Sequence, residues 1–567
     1  MRCWAVVVST VCMAAAGVAG ATEPRIDSRC SIQVVRVEVD DRASLEWIAS
    51  WVEPWEVGPD GHWIVVGVDE PGIARLAAAG LRFRVDAQRS AELCRAPAPD
   101  LKQATGVPGF PCYRTLDEGY RQAELLARTH PSLVEWIDLG DSWEKQASDG
   151  EAGFDLRLLR LTNREVTGTP APGPDGDKPV LMVLAGVHAR ELAPVETLMR
   201  FAEELVRGYG RDAEATWLLD EHEIHLVPFA NPDGRTRAES LAFWRKNADN
   251  DFCSDTVNRG VDLNRNFAHE WGCCGGSSGF SCSELFRGPS PASEPETRAY
   301  QQWMDRAFPD QWDPEPDADA TGVFIDVHSY GRLVMWPWGS TSELAPNSAG
   351  LETLGRRLAA RAGGTPQQSF DLYPSDGTTD DYAYGRHGVA AFGFEIGDRF
   401  FEPCAAFEGE FLDGALAALR YAARVARTPY VTPSGPETRD VAVQPRPDVP
   451  RGTPLRVRAL ADDTAFAGSG GAVPSPVVEA EMWVGAPPWG AGGTPVAMTP
   501  TDGRWDSPVE VVEADIDTGS LASGRHLVYV RARGEDGIWG PVGAGLLWID
   551  VARELPRQVA PDARRRP

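Results

Sequence analysis

A chain of 567 residues is too long for one core and divides into roughly two to four domains. Its 43% hydrophobic and 24% charged residues are ordinary for globular protein, and a net charge of −28 excludes a surface built to attract nucleic acid or anionic membrane. The acidity reads as solubility.

The first residues have the pattern of an export signal. Arg2 gives a positive start, Trp4 to Val18 is mostly apolar, and Ala19-Gly20-Ala21 is a small-residue cleavage site, so 1–21 is expected to be a signal peptide. The run is shorter than the ~20 apolar residues of a spanning helix. Val11 stands before Cys12 where lipidation wants a small residue, and no later segment is apolar enough to cross a membrane. A secreted protein, extracellular or periplasmic, is expected. Of ten cysteines, Cys3 and Cys12 leave with the signal, and the even remainder suggests disulfides. A local loop pairs Cys253 with one of Cys273, Cys274 and Cys282; other pairings stay open. Zinc-finger spacing is absent.

Residues 22–108 read as a small α+β unit and linker. SIQVVRVEV (31–39) and HWIVVGV (62–68) alternate as strands do, and GIARLAAAG (72–80) reads as a short helix. The Pro/Ala/Gly stretch 96–111 reads as the linker. In residues 109–428, helical segments such as 116–130 and 196–209 alternate with the short apolar runs KPVLMVLAGV, EIHLVPFA, GVFIDVHS and VAAFGFEIGD. Strands buried on both faces look like this, so an α/β domain is expected, with a mixed, largely parallel central sheet flanked by helices. Residues 429–453 read as a Pro-rich linker. Alternating segments separated by turns then predict an immunoglobulin or fibronectin-III-like β-sandwich over 454–553, and a disordered tail at 554–567.

Functional groups in α/β sheets gather at the carboxyl ends of strands. His188 and Glu191 follow KPVLMVLAGV, His328 ends GVFIDV, Glu395 ends AFGF, and the NPDG turn (231–234) caps a further strand. Two histidines and a carboxylate satisfy a catalytic zinc, which takes three N/O ligands and keeps one open position. Alone, H-x-x-E is a weak pattern. His188 and Glu191 can equally form a loop salt bridge with Arg190, Glu395 can pair with Arg399, and Asn264-Arg265-Asn266 can be a solvated turn.

VHARELAPVE resembles the zinc-binding stretch of metallocarboxypeptidases of the carboxypeptidase A/B type, and further segments follow in family order. FWRKN (243–247) resembles the segment whose arginine, here Arg245, polarises the scissile carbonyl. VDLNRNF (261–267) resembles the segment whose Asn264 and Arg265 grip the substrate's terminal carboxylate. DVHSYG (326–331) implies His328 as third zinc ligand and Tyr330 in a substrate subsite. LYPSDGTTDDYAYG (372–385) resembles the mobile loop with its tyrosine, Tyr373, and FGFEIGD (392–398) carries the general base, Glu395. Leu192 stands where many members have Trp, and no chemistry rests on it.

The resemblance implies one Zn2+, a peptide or protein substrate with a free C-terminus, and a prodomain removed by an activating protease near Arg95 or Lys102. It also puts Asp380, seven residues after Tyr373, at the base of the specificity pocket, where an acid favours C-terminal Lys or Arg. Adjacent Asp381 leaves room for a slip of one residue. The chemistry is self-consistent: water activated by metal and Glu395, an oxyanion met by Arg245, a carboxylate met by a planar guanidinium, and Asp262 orienting His188. A zinc acylase of the aspartoacylase type shares H-x-x-E; a cell-wall stem-peptide peptidase shares the chemistry; a non-catalytic binding module shares the fold. The NRNF segment, Tyr373 and an intact Glu395 argue for the carboxypeptidase. Acidic stretches such as DPEPDADA (313–320) read as solvated loops rather than calcium sites.

Overall fold

The computed structural model describes residues 31–94, 103–168, 178–256, 258–312, 314–464, 473–490 and 493–550. The expected signal peptide, the tail 554–567 and the candidate cleavage positions Arg95 and Lys102 lie outside the described residues.

The N-terminal unit is a four-stranded antiparallel sheet with three helices. Strands β1 (Gln33–Glu38), β2 (Pro54–Val57), β3 (Trp63–Val68) and β4 (Phe83–Val85) lie in the order β2-β3-β1-β4. Alternation assigns the two faces. Val35, Val37, Ile64 and Val66 close a core with Leu45, Ile48 and Leu76 of the helices Arg42–Ala49 and Glu70–Ala78. Val34 and Val65 point the other way, onto Tyr330 and Phe400 of the middle domain. Asp41 and Asp69 start the two helices by accepting from Ser44 N and Gly72 N.

The middle domain is built on an eight-stranded sheet: β5 (Val134–Asp141), β6 (Asp155–Leu161), β7 (Val180–Ala185), β8 (Glu223–Val227), β9 (Val323–His328), β10 (Leu333–Trp336), β11 (Thr365–Gln368) and β12 (Ala390–Glu395), in the order β11-β10-β12-β9-β7-β8-β6-β5. The central β12-β9-β7-β8 strands are parallel, and antiparallel pairing appears only towards the edges. Every residue of β7 and β9 is buried, the signature of strands covered on both faces. The helices Leu192–Gly208, Ser348–Ala362 and Leu412–Val425 pack on this sheet. The NPDG segment does not end as a turn: Asn231 accepts from Gly234 N and starts the helix Pro232–Glu239, with Pro at its first position.

The C-terminal sandwich packs β13 (Glu437–Gln444), β15 (Leu455–Asp462), β18 (Thr499–Pro500) and β19 (Val509–Ile516) against β14 (Asp448–Val449), β16 (Val477–Val484), β17 (Val496–Ala497), β20 (Gly524–Gly534) and β21 (Gly543–Ile549). Strand β13 runs through the stretch that reads as a linker. Its sequence, ETRDVAVQ, is largely polar, and Arg361 and Arg424 of the middle domain meet its first residue, Glu437, at 2.6 and 2.8 Å. Cys112 pairs with Cys404, Cys253 with Cys282, and Cys273 with its neighbour Cys274. No helix of the described residues is long and apolar enough to cross a membrane.

Candidate active site

The site lies at the carboxyl ends of the central strands. After β7 the chain turns at Gly186, whose φ of 71° a side chain would strain. It then runs through His188 to Glu191, which begins the helix Leu192–Gly208. His328 is the last residue of the adjacent strand β9. The three side chains are buried and their ligand atoms lie within 4.8 Å of one another. Glu191 stands between the imidazoles: its Oε1 is 2.9 Å from His188 Nδ1 and its Oε2 is 3.1 Å from His328 Nδ1.

Each ring turns its far nitrogen to a buried carboxylate. His188 Nε2 lies 3.2 Å from Asp262 Oδ1, and His328 Nε2 lies 2.9 Å from Asp326 Oδ2. A carboxylate behind each imidazole accepts the Nε2–H, fixes the ring and leaves the Nδ1 lone pair free to bind a metal. Two nitrogens and one carboxylate oxygen facing one point fit a catalytic zinc. A second group, Glu270, Cys273 and Cys274, is exposed, and its two sulfurs are joined to each other.

Around this centre stand the other residues singled out by the sequence. Glu395 ends β12 opposite His328 in parallel register. Burial raises its pKa well above the ordinary value, helped by Glu191 and Glu53 and opposed by His328. Arg245 reaches Asp262 with Nη2 at 2.8 Å and Nε at 3.2 Å. Burial works to raise the Asp262 pKa, but Arg245 and His188 outweigh it and hold the carboxylate well below its usual range. Asn264 accepts from Thr379 N at 2.9 Å, and its Nδ2 lies 3.2 Å from His328 Nε2. Arg265 donates Nε to Gly276 O at 2.9 Å and Nη1 to Asn264 O at 2.6 Å. Its Nη2 has no partner among the described residues.

Asp380 lines the same cavity, and its partner is the Ser369 hydroxyl at 3.0 Å. Asp381 turns elsewhere, accepting from Gly339 N and Ser340 N at 2.9 and 3.1 Å. Tyr373 lines the cavity and packs on the core of the N-terminal unit. Tyr330 lies against Phe400, and its hydroxyl is 2.8 Å from Arg89 Nη2 and 3.3 Å from Glu56.

Three features escaped the sequence reading. Asp326 stands two residues before His328 on one strand, so the period of two already puts both side chains on one face. Glu53, from the N-terminal unit, enters the site: it pairs with Arg245 and with Arg190 Nη2, the latter at 2.6 Å. Arg190 is fully buried, lies over Phe243 and Phe400, and pairs with Glu53 and Glu284 rather than with Glu191. Likewise Arg399 pairs with Glu92, not with Glu395.

Comparison with known proteins agrees with this geometry. The zinc carboxypeptidase family pattern matches residues 120–410. A zinc carboxypeptidase of Saccharothrix mutabilis subsp. capreolus is 30% identical over 363 residues, covering 60% of this chain and 76% of the relative. Carboxypeptidase A1 of Rattus norvegicus is 30% identical over 297 residues, covering 51% of this chain and 63% of that one. The chain thus spans a little under two-thirds of that mammalian relative. The crystal structure of carboxypeptidase A from Helicoverpa armigera shares the fold, with a TM-score of 0.57 at 21% identity over 72% of this chain and 99% of its own. The chain belongs to the zinc carboxypeptidase family, and His188, Glu191 and His328 form a group that could hold a metal ion, as a zinc enzyme requires.

Proposed function

We propose that the chain is an exported carboxypeptidase precursor that removes C-terminal residues from peptides and proteins, prefers Lys and Arg, and is held latent by residues 31–94. The observation that carries this reading is the gathering of Glu395, Arg245, Arg265, Tyr373 and Asp380 on the cavity beside the metal triad, with Glu53 already seated on Arg245. When bound, zinc supplies Lewis acidity towards water and the scissile carbonyl. Glu395 takes the proton of the attacking water and passes it to the departing amine. Arg245 meets the developing oxyanion, and Asp262 keeps both Arg245 and His188 in place. Arg265, with Asn264 beside it, binds the terminal carboxylate, which restricts cleavage to the last peptide bond. Tyr330 contributes to a subsite on the other side of that bond, and Tyr373 closes over the substrate.

Asp380 supplies the preference. It is 7% exposed and, among the described residues, has a hydroxyl but no cation as partner. A buried carboxylate in that state is completed by a lysine or arginine side chain. Latency follows from the N-terminal unit. Glu53 occupies the guanidinium that the substrate needs. Arg42 donates to Phe370 O at 2.5 Å and lies over the Phe370 ring, which restrains the segment leading to Tyr373. Cleavage in the 96–111 linker releases both. The disulfides suit an oxidising compartment outside the cytoplasm.

The test uses the full chain after signal removal, with and without limited trypsin treatment, on two peptides differing only in a C-terminal Lys or Phe. Loss of one terminal residue, faster for Lys, increased by trypsin and abolished by a zinc chelator, is expected. Asp380→Ile should reverse the Lys/Phe ratio; an unchanged ratio removes Asp380 from the pocket. Cleavage of N-acyl amino acids but not of peptides would instead favour an acylase.

A further inference from the structure

Asp376 is completely buried in the segment between Tyr373 and Asp380, and no cation touches it among the described residues. Its charge is met by the donors of a single loop. Oδ2 accepts from Gly276 N at 2.9 Å and Cys274 N at 3.2 Å, while Oδ1 accepts from Gly272 N at 3.3 Å and from the Ser277 hydroxyl. That loop carries the bond between Cys273 and Cys274. It lies directly on the tyrosine segment, because a Cβ added at Gly276 would sit 2.3 Å from Ser375 Cα. On the other side of the same residue, in the next peptide unit, Gly276 O accepts from Arg265 Nε at 2.9 Å. One residue, Gly276, therefore gives its N–H to Asp376 and its carbonyl to Arg265. The segment is also pinned at its far end, where Gly377 O accepts from Phe267 N at 3.0 Å.

We propose that Asp376 is a positioning residue for recognition of the substrate carboxylate. It fixes the 272–277 loop so that Gly276 O holds the Arg265 guanidinium, and it ties that grip to the segment bearing Tyr373. A loop with four donors on one buried carboxylate has little freedom to turn the carbonyl away. Without the carboxylate those donors, which flank the Gly276–Ser277 peptide on both sides, are left unsatisfied, that peptide can rotate, and Arg265 loses the acceptor that aims it. The inference rests on the reading of Arg265 as the carboxylate-binding residue.

The experiment measures kcat and KM of the trypsin-treated full chain on a peptide ending in Lys, for Asp376→Ala, Ser277→Ala, Arg265→Ala and the double variant Arg265→Ala/Asp376→Ala. Asp376→Ala is expected to raise KM about tenfold with kcat within about threefold, the scale of weakening one hydrogen bond to a charged group. Ser277→Ala should move KM the same way by a smaller factor, and it decides the matter if Asp376→Ala does not fold. In the double variant Asp376→Ala should add nothing to the KM of Arg265→Ala, because the two act as one unit. An unchanged KM in Asp376→Ala or, where that variant does not fold, in Ser277→Ala overturns the proposal, as does a fall confined to kcat or full additivity in the double variant. If Arg265→Ala itself leaves KM unchanged, the carboxylate reading falls, and the proposal falls with it by a separate result.

Discussion

The C-terminal sandwich joins the middle domain through Trp483, Leu527, Tyr529 and Val542, which belong to the same continuous core as the central sheet. Tyr529 meets Trp217 edge-on at 6.2 Å between ring centroids. The N-terminal unit instead closes its own core and presents the second face of its sheet to the middle domain. Its contacts are a small apolar patch around Tyr330 and Phe400, Tyr373 on its core and Arg42 on Phe370, with charge beside them: Glu53 on two buried arginines, Arg89 with Glu56 and the Tyr330 hydroxyl, Glu92 with Arg399. A shared core cannot be parted without exposing both halves. A unit with a core of its own, held by one small apolar patch and ion pairs, meets what the proposed release requires. The difference separates a domain that shares the core of the catalytic sheet from one that closes a core of its own.

The strongest test of this contrast is Glu53→Ala in the uncut chain. Removing one member of a buried charge cluster leaves Arg190 and Arg245 without their shared partner, which costs about 3–5 kcal/mol. Docking of the N-terminal unit should weaken by more than about a hundredfold at that cost. Basal peptidase activity of the uncut chain should rise towards that of the trypsin-treated one. Unchanged basal activity would mean that the apolar patch alone holds the unit in place, and the contrast would lose its electrostatic half.

The sandwich answers to a different change. Tyr529→Ala empties a fully buried aromatic site in the shared core and should destabilise by about 3 kcal/mol. In urea the loss of peptidase activity and the unfolding of the sandwich should stay coincident, both shifted to lower urea. Two separate transitions, with the activity midpoint where it was, would show a tethered module rather than an integral layer.

What the sequence disclosed about the site follows from strand geometry. His188, His328 and Glu395 each lie at or just after the end of a buried apolar run, where period and burial are visible in one dimension. Asp326 was equally visible by the same period. Glu53 was not: it sits beside the short strand β2, and what makes it functional is two arginines far along the chain. The disulfides divide in the same way. Cys253 and Cys282 close a local loop, whereas Cys112 and Cys404 are 292 residues apart and meet only in the fold. Strand β13 hid because its sequence lacks apolar alternation: Glu437 pairs with Arg361 and Arg424 across the domain boundary and Arg439 with Asp462 inside the sandwich.

A smaller effect separates the regions by pH. Glu294 and Glu296 are buried in the middle domain beside neutral partners, Asn247, Ser293 and Trp143 N. Burial pushes their pKa values up to about 7 and about 8, with Asp249 adding to the first and Glu294 to the second. A carboxyl raised in the folded state contributes stability that is complete below its ordinary pKa and is lost as pH rises through the raised one. Glu53 has the opposite sign. Burial opposes its ionisation, but Arg245 and Arg190 outweigh that and hold it below the ordinary value, so docking is lost only as pH falls through that lowered value. Between pH 9 and pH 5 the urea midpoint of the trypsin-treated chain should therefore rise, by up to roughly 1.4 kcal/mol per pH unit for each carboxyl while it titrates. Glu296→Gln should flatten that slope. Over the same range the affinity of the cut N-terminal unit for the middle domain should stay constant, because Glu53 remains ionised throughout. An affinity that tracks the urea midpoint would mean that docking and the middle domain respond to the same protons, and the two regions would not be energetically distinct.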